Sequence, residues 1–256
     1  MKSFIAFTKK EFSEQKRSCR LLFLGLVFVL FGIMNPAVAK LTPWLLETMA
    51  ESLEQSGMLV TGVTVTAMDS WVQFFKNIPM ALIAFILIES GIFTKEYSSG
   101  TLILSLTKGL SRLKVLISKT AILTSLWTVG YWLCFGITYI YNNLFWDNSV
   151  AKNLIFSAAC YWVFGLFVVL LTVFFSVVAK ANTAVLAGVG GVVFTFYIAG
   201  LIPKVAELLP TALTNGNALI YGSLAPKDYL ASFIITITAS ILLFAASVPI
   251  FNKRTL

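Results

Sequence analysis

Leu154 to Ala179 reads LIFSAACYWVFGLFVVLLTVFFSVVA, 26 residues without a charge. As a helix it would be about 39 Å long, more than the roughly 30 Å hydrocarbon core of a bilayer requires. Working outward from it, the short turn Lys180-Ala181-Asn182-Thr183 leads into a second apolar run, Thr183–Ile202, and a third follows at Tyr229–Phe251. Toward the N-terminus lie Val115–Tyr141, Trp71–Phe93 and Leu21–Ala39. The expected fold class is therefore an all-α membrane protein with six transmembrane helices. Composition agrees: 58% of residues are hydrophobic and 12% charged, with a mean hydropathy of +0.89, against about 25% charged in soluble domains.

The first run is not read as a signal peptide. Its apolar core exceeds the usual 7–15 residues, and residues 1–20 pattern as an amphipathic helix, with Phe4, Ile5, Phe7 and Phe12 on one face and Lys9, Lys10, Glu11, Glu14, Lys16 and Arg17 around the remainder. Residues 1–20 are thus expected to form an elbow helix in the membrane interface, with Lys10, Glu11 and Arg17 as its candidate contact residues. Residues 21–256 would form one transmembrane domain. The three cysteines, Cys19, Cys134 and Cys160, lie in or beside spans and imply no disulfide framework.

The net charge of +8 is distributed as a membrane protein distributes it. Placing the leader, the loops after spans two and four and the tail on one side gathers fourteen of the nineteen basic residues there. The other side has five basic residues against seven acids. By the positive-inside rule both termini are expected in the cytoplasm, and a nucleic-acid partner is not expected.

Between spans two and three lies a polar island, Lys95-Glu96-Tyr97-Ser98-Ser99-Gly100-Thr101-Leu102. Within the loop 94–114, Ser98-Ser99-Gly100 should break the incoming helix. Thr101 should cap a short crosswise helix, Gly109 end it, and Ser111 cap the next. Leu102, Ile103 and Leu106 would form an apolar knob for a partner's groove, with Lys95 and Glu96 at its rim. Lys108, Arg112, Lys114 and Lys119 would face headgroups or an acidic partner.

On the opposite side, Thr42, Pro43 and Gly57 frame a short helix inside the outer loop 40–70, with Trp44 and Trp71 at interface depth. Residues 203–228, punctuated by Pro210, Gly216, Gly222 and Pro226, fit short re-entrant helices. Gly188 and Gly191 in span five permit close helix approach.

The island, the leader and the tail carry a resemblance. Lys95-Glu96-x-x-x-Gly100-Thr101-Leu102, followed by Ser111-Arg112 and Lys114, is similar to the coupling-helix region of ABC-2 type permeases, the six-span subunits of type V ABC exporters. Phe7-Thr8-Lys9-Lys10-Glu11 resembles that family's leader helix, and Phe251-Asn252-Lys253-Arg254-Thr255-Leu256 its Phe-x-x-Arg-x-Leu tail. The resemblance implies a homodimer, or a pair with a paralogue, and two cytoplasmic ATPase subunits holding ATP and Mg. The loop after span two would dock on the ATPase, the 180–183 turn would make a minor contact, and spans one, two and five would surround the exit path. A bacterial plasma membrane is the expected location.

No metal site is expected, for the chain has no histidine, and no Walker loop, zincin motif or nucleophile elbow is present. The chain is therefore expected not to be an enzyme itself, and its energy must come from a partner or a gradient. Glu89 is the acid deepest in a span, which by default marks a functional hypothesis. A salt bridge with Lys95 or a basic residue of span three is the plainer reading, and a gradient-driven carrier using Glu89, or a membrane-embedded binding or structural module, is the alternative function. Phe28, Phe31, Glu89, Gly188, Gly191, Phe194 and Tyr197 are the candidate pathway and interface residues. Phenylalanine-rich spans suit hydrophobic or amphipathic cargo: lipid, drug-like molecules or, favoured by the resemblance, antimicrobial or toxin peptides.

Overall fold

The computed structural model describes residues 2–49, 64–107 and 109–254. Helix α1 (Lys2–Arg17) turns at Cys19, whose φ of 57° is left-handed, into α2 (Arg20–Thr48). Helix α3 (Ala67–Glu89) is followed by a 3-10 turn at Ser90–Ile92 and two short helices, α4 (Thr94–Ser99) and α5 (Thr101–Thr107). The long α6 (Arg112–Phe145), α7 (Leu154–Val178) and α8 (Asn182–Ala199) come next. After the short α9 (Pro203–Ala206) and α10 (Gly216–Tyr221), the chain ends in α11 (Leu230–Lys253). Six segments, built on α2, α3, α6, α7, α8 and α11, are long and apolar enough to cross a membrane. The fold is all-helical among the described residues, and the protein is a multi-pass membrane protein.

In a bilayer, burying apolar side chains between helices gains little over contact with lipid, so packing and hydrogen bonds must hold the bundle together. Glycines make room for aromatic rings. Phe28 of α2 fills the notch at Gly130 of α6, Trp127 of α6 fills that at Gly165 of α7, and Phe75 of α3 fills that at Gly216 of α10. Trp127 donates to the Trp162 carbonyl at 3.1 Å and Tyr131 to the Ala158 carbonyl at 2.7 Å, fixing α6 on α7. Trp71 is fully buried and donates to Asn148 Oδ1, in the connection between α6 and α7, at 3.0 Å. Trp44 is exposed.

The expected helix start at Thr42 does not occur. Helix α2 runs through Pro36 and Pro43 to Thr48, with Thr42 Oγ1 donating to the Val38 carbonyl at 2.8 Å instead of capping. A proline removes the N–H that would bond the carbonyl four residues back. For Pro36 that carbonyl is Gly32's, and Thr138 of α6 supplies the missing donor at 3.0 Å. Thr138 in turn accepts from Asn35 Nδ2 at 3.1 Å, and Asn77 of α3 donates to Asn35 Oδ1 at 2.9 Å. One polar chain thus joins three spans. The expected stop at Gly57 lies outside the described residues.

Residues 203–229 pack their short helices onto α7 and α11. Ser157 donates to the Gly216 carbonyl at 3.0 Å, Ser232 to that of Leu209 at 2.7 Å and Tyr229 to that of Asn215 at 2.8 Å. Leu213, Leu219 and Ile220 are fully buried. These bonds satisfy part of the segment's irregular backbone.

Candidate functional site: an ion-locked loop at the basic end

Helix α1 lies against the bundle by a face the hydrophobic pattern does not pick out. Phe7, Glu11 and Gln15, at i, i+4 and i+8, are all buried, whereas Ile5 is 62% and Phe12 43% exposed. The expected apolar face is thus mostly turned away, because what α1 meets on the bundle is charged. Lys119 of α6, 1% exposed, places Nζ 2.7 Å from Glu11 Oε2 and 3.0 Å from Glu96 Oε2, and donates to the Ile92 carbonyl at 3.1 Å. Lys10 closes the ring, 2.8 Å from Glu96 Oε1 and 3.1 Å from Glu11 Oε1. Glu11, Glu96 and Lys119 are buried, while the Lys10 side chain is 45% exposed and also lies 3.5 Å from Glu14 at the solvent edge. Pairing is what makes burial of the other three tolerable. Burial of the Lys10 ammonium works to lower its pKa, but Glu96 and Glu11 outweigh it and hold the group above the ordinary lysine range. Thr8 and Ser118 hydroxyls meet at 2.9 Å beside the ring.

A second buried contact lies next to the first. Glu89, fully buried at the end of α3, accepts from Gln15 Nε2 at 2.7 Å and stands 3.9 Å from Arg20 Nη1. Its nearest partners come from α1 and the start of α2, while Lys95 and Lys119 of α6, the basic groups expected beside it, also act on its carboxylate through their charge.

The loop itself breaks where expected: Gly100, with φ of 66°, separates α4 from α5, and Gly109 has φ of 85°. Both angles favour glycine, which lacks the Cβ that crowds the left-handed region. Two rim and knob expectations need correction. Glu96, 5% exposed, is drawn inward by the two lysines rather than standing at a rim, and Leu102, 1% exposed, packs in the protein's own core. Leu106 is half-buried against that core. Thr101, Ile103, at 47%, and Thr107 are exposed on α5. Lys95 is exposed, and Lys108 lies outside the described residues.

Arg112 does not face headgroups either. Its guanidinium donates to the carbonyls of Phe251, Asn252 and Arg254, tying the start of α6 to the end of α11. Arg254 then caps α7 through the Val177 and Ala179 carbonyls and lies 4.0 Å over the Tyr97 ring. Phe251 is fully buried against Phe93 at 5.8 Å. The tail is thereby fastened to the loop and to the end of α7; Thr255 and Leu256 lie outside the described residues.

The whole chain, from this end of the bundle to its short outer helices, can be set against known proteins. Residues 5–252 match the family model described as ABC-2 family transporter protein. The chain belongs to the ABC-2 transporter family. A Bacillus subtilis (strain 168) protein, the uncharacterized transmembrane protein YxlG, is 22% identical over 236 residues, which are 88% of each chain. ABC-2 membership makes this chain a permease component of an ABC transporter, and such permeases work with ATPase subunits.

Within this ABC-2 chain the candidate pathway residues fall into two groups. Phe28, Glu89 and Gly188 are occupied by internal packing, Gly188 lying against the Phe175 ring. On α8, by contrast, Gly191 has open space beside it, and Phe194 and Tyr197 are 65% and 49% exposed. Phe31 is half-buried. Arg17 is exposed on α1. Lys119, Gln15, Arg20 and the Asn35–Thr138–Asn77 chain were not singled out by sequence as internal partners. The spacing Phe7, Glu11, Gln15 on α1, and a lysine standing beyond Arg112 and Lys114 within the apolar run of α6, are the signals that could have found the lock.

Proposed function

We propose that this chain is the membrane subunit of an ATP-driven type V exporter. Two permease copies, or one copy and a paralogue, work with two cytoplasmic ATPase subunits that hold ATP and Mg. The chain performs no hydrolysis itself. In this reading both termini face the cytoplasm of a bacterial cell, α4 and α5 receive the ATPase, and hydrophobic or amphipathic cargo, with antimicrobial or toxin peptide favoured, leaves along the faces of α2, α3 and α8.

The observation that carries the reading is the lock beneath the loop. A loop that only joined two spans would not need its root joined by buried charges to α1 and to α6 at once. Such an anchorage lets a push on the exposed side of α5 move α1 and α6 together, without being absorbed by the loop. The engagement of Glu89 by Gln15 and Arg20 supports this reading over a gradient-driven carrier.

The test is purification of the tagged full chain from its native membrane, with and without Ile103→Asp. An ATPase subunit should accompany the unaltered chain and be lost from the variant, while the variant's own melting temperature stays unchanged. Recovery of the unaltered chain alone, or undiminished ATPase on the variant, would overturn the docking assignment.

A further inference from the structure

Where α6 gives way to α7, at the end of α6 away from the ionic ring, lies an open groove of about 680 Å³. Gly136, Ile140 and Asn143 line it at helical spacing on α6, Asp147 stands just past the end of that helix, and Ile155 of α7 lines it too. From Gly136 to the end of α6 at Phe145 is about 14 Å of helix. The chemistry changes along that length. Phe135, Ile140 and Ile155 make one part apolar, and Asn143, Asp147 and Ser149 make the other polar. Gly136 leaves a gap in the apolar part, since a Cβ added there would meet no atom within 4 Å.

The groove is set before any ligand arrives. The Tyr139 ring in its lining is backed by Phe135 at 6.2 Å and by the buried Trp71 at 6.4 Å. Asn148 ties the three-residue turn to this wall, donating to the Tyr139 carbonyl at 3.1 Å while accepting from Trp71. Asp147 is exposed and, among the described residues, has no ion pair. Bonds from the Ser149 hydroxyl and N–H hold its carboxyl below the usual carboxylate range, so its negative charge is kept. A carboxylate and an aromatic face both attract a cation. The lining contains no lysine or arginine. A phospholipid's phosphate would therefore find no basic partner in this lining, whereas a ligand whose only charge is positive needs none.

We propose that this groove binds a cationic amphipathic compound, its ammonium group held by Asp147 and its apolar body lying along Ile140, Ile155 and the gap at Gly136. The site is separate from the 94–114 loop, so it stands whether or not an ATPase docks there. Asp147 selects the charge, and the apolar part of the groove holds the body.

The experiment is equilibrium binding of radiolabelled dodecylammonium to the full chain in phosphatidylcholine nanodiscs, with the uptake of empty nanodiscs subtracted. One saturable site is expected, from which neutral dodecanol displaces the probe poorly. Asp147→Asn keeps an acceptor for the Ser149 N–H and removes the charge; it should weaken binding by roughly two- to fivefold, as befits an exposed ion pair. Gly136→Leu, which starts its side chain into open space, and Ile155→Trp, at a position 59% exposed, should each abolish saturable binding; melting temperatures matching the unaltered chain would show that these variants fold. No saturable binding to the unaltered chain, or binding unchanged in both filling variants, would overturn the groove as the site. Equal displacement by dodecanol, or undiminished binding to Asp147→Asn, would overturn the cationic assignment. Loss of probe binding when phosphatidylethanolamine replaces phosphatidylcholine in the disc would give the groove to that lipid and overturn the proposed occupant.

Discussion

Neither amide atom of Asn142 meets a hydrogen-bond partner among the described residues, although the side chain is fully buried one turn beyond Thr138 on α6. An unsatisfied buried polar group costs about 1–3 kcal/mol, and replacing it with an apolar group of similar shape removes that cost. Asn142→Leu is therefore expected to keep or raise the melting temperature of the detergent-solubilised protein. Most buried polar substitutions are expected to go the other way. A fall would show that the amide holds a partner that leucine cannot replace. The contrast with Asn35 is instructive, because that amide, on the facing helix, both donates and accepts within the polar chain.

Among the helices, α2 shows how a neighbour can keep a proline inside a span. The Gly32 carbonyl freed by Pro36 is met by Thr138, so the integrity of α2 depends on a residue of α6. Thr138→Val keeps the shape and removes both the donor to Gly32 and the acceptor for Asn35. It should cost about 1–3 kcal/mol, read as a lower melting temperature that Thr138→Ser restores; equal melting for valine and serine would refute the linkage. The same helix shows where sequence reading failed. Thr-Pro at 42–43 looks like a helix start in a water-exposed loop, where proline favours the first turn. In a long membrane helix the chain has a stronger reason to continue, since backbone groups left unbonded cost more there. The six spans were legible because apolar length alone identifies them. The face that α1 buries was not, because hydrophobic pattern assumes an apolar surface beneath and the surface here is ionic.

At the scale of the molecule, Lys119 joins parts that are distant in the chain: α1, the segment after α3, and α6. Its bond to Glu11 spans 108 residues of sequence. Such a pairing cannot be read from spacing, and a lysine near a span's end reads first as a headgroup contact. The Gly100 break, by contrast, is a local matter of backbone conformation and was readable. Removing one partner from a buried ion pair typically costs about 3–5 kcal/mol, whereas removing the charges together can be nearly neutral. Lys119→Met alone should therefore destabilise the protein and loosen α1, seen as faster proteolysis near Arg17. Combining it with Glu11→Gln and Glu96→Gln should recover much of the stability. Equal destabilisation of the single and triple variants would mean that charge balance does not govern the lock.

The left-handed turn at Cys19 has a practical consequence. Its thiol is exposed at the joint between α1 and α2, while Cys134 and Cys160, the chain's other two cysteines, are buried. A maleimide dye therefore has a single accessible address on the unaltered chain. Because that address is the joint between α1 and α2, its fluorescence can report in real time whether α1 moves.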